Sequence, residues 1–414
     1  MFAWCTSHQA TLQEVAVNTE HPQPTDATAA HVVVFESPVV SRDCADALRT
    51  LGFRVTCLPV TEDNVMALMT RQPDYVLTIN FNRYICEVCE LLKVCYLAWV
   101  IDTPCYPIYD GAINNPHSFT FLYDAAIALR LRGRGVGQVY HLPVAANVER
   151  IAQIAPSGED AGLACDVSFV ANLTATEYGT LIQPKLSVST RARCTALIDS
   201  LARPTELFQL DEQIDEALIA KVTSESGYPL AGEHYLSKAE KLAYLLGREH
   251  SWRERIELAR QLEARFALRV YGNAEWQGQI GCYAGHADHF EQMPKIFQRS
   301  KINLNLSRSF VEYGLPMRVF DVLSGGGFLV TNDKQDLHKL FTNGKDLVIF
   351  RDTQDLLEIC AYYLDHEQER QAIAAQGLST LREHHTFLLR MIDLFTTVQT
   401  VRAGQPASLS RWYP

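Results

Sequence analysis

Short runs that are apolar from end to end recur along this chain, each separated from the next by a segment of helical character. The first half reads "HVVVFE" (31–36), a helix "RDCADALRTLG" closed by Gly52, "FRVTCLP", a helix near 61–70, and "DYVLTIN" (74–80). A helix over 83–93 follows, then "CYLAWVI" (95–101), "FTFLY" (119–123), another helix and "QVYHLPV". A strand with one wet face alternates polar and apolar residues. These runs do not, so both of their faces must be covered. Helical crossovers make neighbouring strands parallel and supply the cover. The first half is therefore predicted to be Rossmann-like, although no G-x-G-x-x-G turn follows its strands.

Residues 150–163, with "APSGEDAG", read as a linker. The pattern restarts at "CDVSFVAN" (165–172) and is interrupted by a helical region over 176–263, rich in Ala, Leu, Glu, Lys and Arg. It resumes with "FALRVYG" (266–272), "KINLNLS" (301–307), "DLVIF" (346–350) and helices over 353–365 and 367–384. At 414 residues the chain exceeds what one small core organises. The expected architecture is α/β, with two Rossmann-like domains facing across a cleft and a helical insertion at the start of the second. Residues 1–30 would be a flexible lead-in, 31–150 the first domain, 164–395 the second and 396–414 a tail.

Charge narrows the partners. A net charge of -11 argues against a broad basic surface for nucleic acid, while local cationic sites for a phosphorylated small molecule remain compatible. No apolar run reaches the roughly 20 residues of a transmembrane helix. The opening "MFAWCTSHQATLQEV" lacks the basic-then-apolar pattern of a secretion signal. Eleven cysteines, an odd number scattered through a long chain, point to reduced thiols and a cytoplasmic location.

The stretch "YGLPMRVFDVLSGGGFLVTND" (313–333) carries the most chemical information. Val319, Phe320, Val322 and Leu323 fall on one helical face, and Phe328-Leu329-Val330 reads as a short buried strand. Gly325-Gly326-Gly327 marks the stop between them. Bare backbone there serves either packing or the close approach of a ligand.

In its wider context, "RSKINLNLSRSFVEYGLPMRVFDVLSGGGFLVTNDKQDLHKLFTNGKDLVIFRDTQDLLE" resembles the C-terminal domain of group 1 glycosyltransferases, nearest to the spore-maturation CgeB-like branch. "DYVLTINFNRYICEVCELLKVCYLAWVIDTP", with "FTFLYD" and "VYHLPVAANVER", is similar to the N-terminal domain often fused to that branch. The resemblance covers roughly 70–150 and 165–390. It implies a GT-B fold, a nucleotide-sugar donor in the C-terminal domain, a glycan or protein acceptor mostly against the N-terminal one, and no covalent cofactor.

The residues can be read chemically beside that resemblance. A nucleoside diphosphate needs cations and the free N–H groups of a helix start. Arg308 and Arg318 flank Gly314, and Pro316 suits the first turn of a helix, so the pyrophosphate would lie there. Asp321, one turn on, could accept from two ribose hydroxyls or be an ordinary helix-surface acid. The resemblance expects a carboxylate after an aromatic at this place, and Phe320-Asp321 matches with Asp for the commoner Glu. The second carboxylate expected eight positions earlier is replaced by Tyr313, with Glu312 displaced by one. Gly325 and Gly326 would be ligand-adjacent, or merely a helix C-cap. Tyr271, Gly272 and Asn273 end a strand, where α/β folds bind ligands. Asn303 and Asn305 share a strand face that should be buried, with a nucleotide or a neighbouring loop backbone as partner. In the first half Asn80, Asp102 and Asp124 fall at strand ends and, with Trp99, would form the acceptor side. Asp102 or Asp124 could be the base of an inverting transfer, and capping is the alternative for Asp102.

Other constellations compete. Cys86 and Cys89 ("CEVC"), with Cys95 and Cys105, lack the spacing of a zinc ribbon and read as helix core. His286, Asp288 and His289 could bind a metal, but Gly285 and Asp288 fit the opening of a helix better. The histidines of "EHHTF" (383–387), if positive, would complement a helix dipole. No D-x-D sits at a strand end to bridge phosphates through a metal, so transfer is expected to be metal-independent. The leading reading is a glycosyltransferase; a non-catalytic nucleotide-sugar-binding scaffold and a nucleotide-sugar epimerase are the alternatives.

Overall fold

The computed structural model describes residues 29–201 and 210–413, so most of the expected lead-in 1–30 lies outside the described residues. The strands of the first half are β1 (His31–Phe35), β2 (Arg54–Leu58), β3 (Tyr75–Ile79), β4 (Cys95–Val100), β5 (Ser118–Leu122) and β6 (Val139–His141). They form one sheet in the order β2-β1-β3-β4-β5-β6, parallel throughout. The second sheet holds β7 (Cys165–Val170), β8 (Leu268–Tyr271), β9 (Ser300–Asn305), β10 (Leu329–Asn332) and β11 (Val348–Phe350). Its order is β11-β10-β9-β7-β8, again parallel. Two covered parallel sheets are what the continuous apolar runs require.

Period two along each strand divides the core. Val33, Phe35, Val76, Tyr96 and Ala98 point to one face of the first sheet, where Ile85, Cys86 and Cys89 of the helix Arg83–Leu92 meet them. Those thiols are fully buried and burial raises their pKa, as expected of core cysteines. Val32, Val34, Leu97, Trp99, Phe119 and Phe121 point to the other face. Their cover comes from Val40–Thr50 and, less expectedly, from the last helix, Phe387–Arg402, through Phe387, Met391, Leu394, Phe395 and Val398. The chain thus returns to its first sheet after completing the second.

The region expected to be helical contains Val188–Ser200, Glu216–Ser226 and Lys238–Glu263. The last begins at Ser237, whose side chain accepts from Glu240 N–H while the Glu240 carboxylate accepts from Ser237 N–H. Glu240 also pairs with Arg134 of the first half at 2.7 Å, and Tyr244 one turn on meets Tyr109 hydroxyl to hydroxyl at 3.1 Å. The insertion therefore closes one flank between the two sheets. No described helix is long and apolar enough to cross a membrane.

Candidate active site at the facing strand ends

Parallel strands gather all their carboxyl ends on one edge, and here the two edges face each other. The loop after β9 presents Glu312 N–H and Tyr313 N–H to the Asp124 carboxylate, which follows β5, at 2.9 and 3.3 Å. Gly314 is pressed against the same place: a Cβ on it would lie 2.9 Å from Tyr123 Cε2 and 3.0 Å from Asp124 Cα.

On the second-half side, cations dominate the rim. Arg318 sits in the first turn of the helix Met317–Ser324, donates from Nε to Val170 O at the end of β7 (3.1 Å), and lies 3.3 Å from Asp321. Arg255, nearly buried on the long helix, donates to Asn172 O (2.7 Å) and Leu306 O (3.1 Å), the loops after β7 and β9. Lys334, after β10, is buried and donates to Arg308 O and Val311 O. Burial pulls its pKa down to about 8 although Asp124, Glu254 and Glu312 oppose the shift.

Arg308 differs from these. Its guanidinium has no hydrogen bond or ion pair among the described residues, only the Phe310 ring at 5.6 Å. It is half-buried, and burial followed by the nearby Arg248 disfavours its charge, while Tyr123 and Asp102 across the cleft favour it. An arginine does not deprotonate in such a setting. A half-buried guanidinium without a protein partner, beside a second arginine, has the charge and the open donors to pair with an anion.

Across from it, Asp102 is exposed. Asn80 adopts a left-handed conformation (φ 64°) that lets its amide donate to Asp102 Oδ2 at 2.7 Å while its Oδ1 accepts from Ile101 N and Asp102 N at 3.0 and 3.3 Å. The two halves thus bring Arg308, Arg318, Asp321, Asn80 and Asp102 to one pair of edges.

Other candidates lie elsewhere or are already engaged. Trp99 is fully buried, donates to Leu142 O at 3.1 Å and packs edge-on against Phe387; it is core, with no face toward an acceptor. Asp124 is fully buried, and its oxygens accept from Ala126, Glu312 and Tyr313 N–H, which leaves it poorly placed as a base. Gly325 and Gly326 cap the C-terminal end of Met317–Ser324, one helix length from Gly314, beside Phe297 and Leu378. Gly272 is needed for packing, since a Cβ would stand 2.1 Å from Ala171 O. Asn273 is tied to Leu173 through N–H and carbonyl, and Tyr271 is buried. Asn305 donates to Ser307 and Thr331 hydroxyls at 3.1 and 2.9 Å, so its partners are local. Asp288 accepts from Phe290 and Glu291 N–H, a turn role, and His289 stands 4.0 Å from Asp321. Among the described residues no three His, Cys, Asp or Glu side chains converge as metal ligands.

Arg248, Arg255 and Lys334 were not read from the sequence as site residues. Arg248 and Arg255 are seven apart, hence near one helical face, and that spacing within "REHSWRER" was the available signal.

Comparison with known proteins adds to this geometry. The model of the family described as glycosyl transferase-like matches residues 244–396. The match lies wholly within the second half. It includes every second-half cation named above. Among solved structures, Anabaena HepE in complex with UDP-glucose is similar at a TM-score of 0.51 and 10% identity, covering 89% of this chain and 99% of that one. Sucrose-phosphate synthase from Thermosynechococcus elongatus gives 0.50 at 8% identity, over 91% and 100%. At such identities the likeness is one of fold, and the fold is GT-B, with the matched stretch in its second half. A search among curated proteins returned no match.

Proposed function

We propose that the protein is a metal-independent glycosyltransferase, of the CgeB-like branch, that moves a sugar from a nucleoside-diphosphate donor to a hydroxyl or amide of a surface glycan or protein. The observation that carries this reading is Arg308, an unpaired, half-buried guanidinium at the carboxyl edge of the second half. The donor pyrophosphate would pair with Arg308 and lie against the N–H groups that open Met317–Ser324, with Arg318 behind it. Asp321 would take the ribose hydroxyls. HepE, solved in complex with UDP-glucose on a similar fold, supports a nucleotide-sugar as the class of ligand.

In the transfer, the bond from the anomeric carbon to the phosphate oxygen breaks and its electron pair leaves with the nucleoside diphosphate. Arg308 and the helix-start amides stabilise that charge without a metal. The acceptor oxygen or nitrogen bonds to the anomeric carbon and gives up its proton. Asp102, steadied by Asn80 and open to solvent, would take it in an inverting transfer, or orient the acceptor in a retaining one.

Calorimetric titration with UDP, GDP and ADP tests the donor site. At least one should bind, and Arg308→Ala should weaken it by about ten- to hundred-fold, the worth of a charge-assisted contact of ~1.5–3 kcal/mol. Equal affinity in wild type and variant would remove Arg308 from the site.

A further inference from the structure

The loop 306–316 has a partner that no donor contact explains. It leaves β9, carries Arg308, and delivers the chain to Met317, where the candidate phosphate-binding helix starts. No strand or α-helix stiffens it along the way. Its first part, 306–311, is held from its own half by Arg255, Asn332, Ser251 and Lys334, and Tyr313 O accepts from Asp336 N–H. What holds the N–H groups of Glu312 and Tyr313 is a carboxylate from the other half of the molecule. Asp124 Oδ2 accepts from Glu312 N–H at 2.9 Å, and Oδ1 from Tyr313 N–H at 3.3 Å and from Ala126 N–H at 3.0 Å. The contact excludes water, since Asp124 is 0% exposed. Glu312 adds an ion pair to Arg130 at 2.6 Å, and Gly314 gives the closeness a side chain would forbid.

We propose that Asp124 is an inter-domain catch: a positioning residue through which the first domain fixes the loop that carries Arg308 and the helix start. Two backbone N–H groups of the loop depend on this carboxylate, and a buried N–H without an acceptor is costly. With the catch gone, the segment between the anchored residues 306–311 and the helix start loosens and the nucleotide has to order it, so affinity falls by what that ordering costs. The catch rests on contacts within the protein; its consequence for affinity rests on the donor reading above.

The test uses full-length Asp124→Ser. Serine still caps Ala125–Gly133 by accepting from Ala126 N–H, but is one atom too short to hold Glu312 and Tyr313. Hydrogen exchange in the ligand-free protein should quicken at least about tenfold at the amides of 311–315 and stay unchanged within 125–133. Affinity for UDP or GDP, whichever the wild type binds, should fall at least about fivefold. If Asp124→Ser does not fold, Gly314→Ala pushes the same loop off from its own side and should give the same exchange pattern. Unchanged exchange at 311–315 would overturn the catch. Faster exchange with unchanged nucleotide affinity would overturn its positioning role. If the wild type binds neither nucleotide, the donor reading loses its support and the catch stands or falls by the exchange alone.

Discussion

Asp102 and Asp124 look alike in the sequence, each an acid just past an apolar strand. In space they part company. Asp102 follows β4, stays exposed, and keeps one oxygen without a hydrogen-bond partner among the described residues while Asn80 holds the other. Asp124 follows β5 and is sealed by the loop from the second half. Local pattern identified both as strand-end acids, but a contact between residues 188 apart decided which one faces the cleft. Trp99 was open to misreading for a related reason: every residue of β4 is buried, so no alternation showed which side it faced. The residue-scale consequence concerns turnover. Asp102→Asn keeps size and hydrogen bonding but loses the charge, and should lower the rate at saturating donor by at least about tenfold. The nucleotide dissociation constant should stay within about twofold. Both are read on one preparation, with circular dichroism as the check on folding; wild-type turnover would make Asp102 a loop cap only.

The elements themselves were largely legible, because continuous apolar runs and capping residues are local signals. Which end of an element meets the site was not. The glycines after Ser324 close the helix whose beginning, not end, faces the cleft. The histidines of "EHHTF" show the same limit, since one of them complements no dipole as a cation. His385 is buried; its Nδ1 accepts from Arg390 at 2.7 Å and its Nε2 donates to Leu340 O at 3.2 Å, so the ring is neutral. Burial, then the charge of Arg390, holds its pKa at about 2, with Arg411 and His384 adding to the shift. An unfolded histidine takes a proton near pH 6.5, so in acid the unfolded chain binds a proton the folded one refuses. The stabilisation is therefore complete above about pH 6.5 and is lost as pH falls. His385→Gln, which can accept from Arg390 and donate to Leu340, should remove this dependence. Between pH 7 and pH 5 the wild type is expected to lose about 2 kcal/mol more unfolding free energy than the variant. Parallel pH dependence in urea titrations of the two proteins would show that His385 does not titrate on unfolding.

At the scale of the whole molecule, two covered parallel sheets facing across a cleft could be anticipated, since each run of strands implied its own helical cover. The return of Phe387–Arg402 to the first sheet could not, because a helix's apolar face does not say which sheet it covers. Nor could the tail, where Leu409 O accepts from His141 N–H at 2.9 Å and Tyr413 donates to Asp336 at 2.5 Å, tying the end of the chain to both halves. Such ties join the two halves, as the proposed donor site in one half and acceptor site in the other would require. The most direct test of that arrangement is the release of nucleoside diphosphate from a panel of UDP- and GDP-sugars, with and without cell lysate as the source of acceptor, all in EDTA. Release that depends on lysate, survives EDTA and disappears in Arg308→Ala is expected. Release that needs added Mn²⁺, or that is unchanged in Arg308→Ala, would contradict the donor site and mechanism proposed.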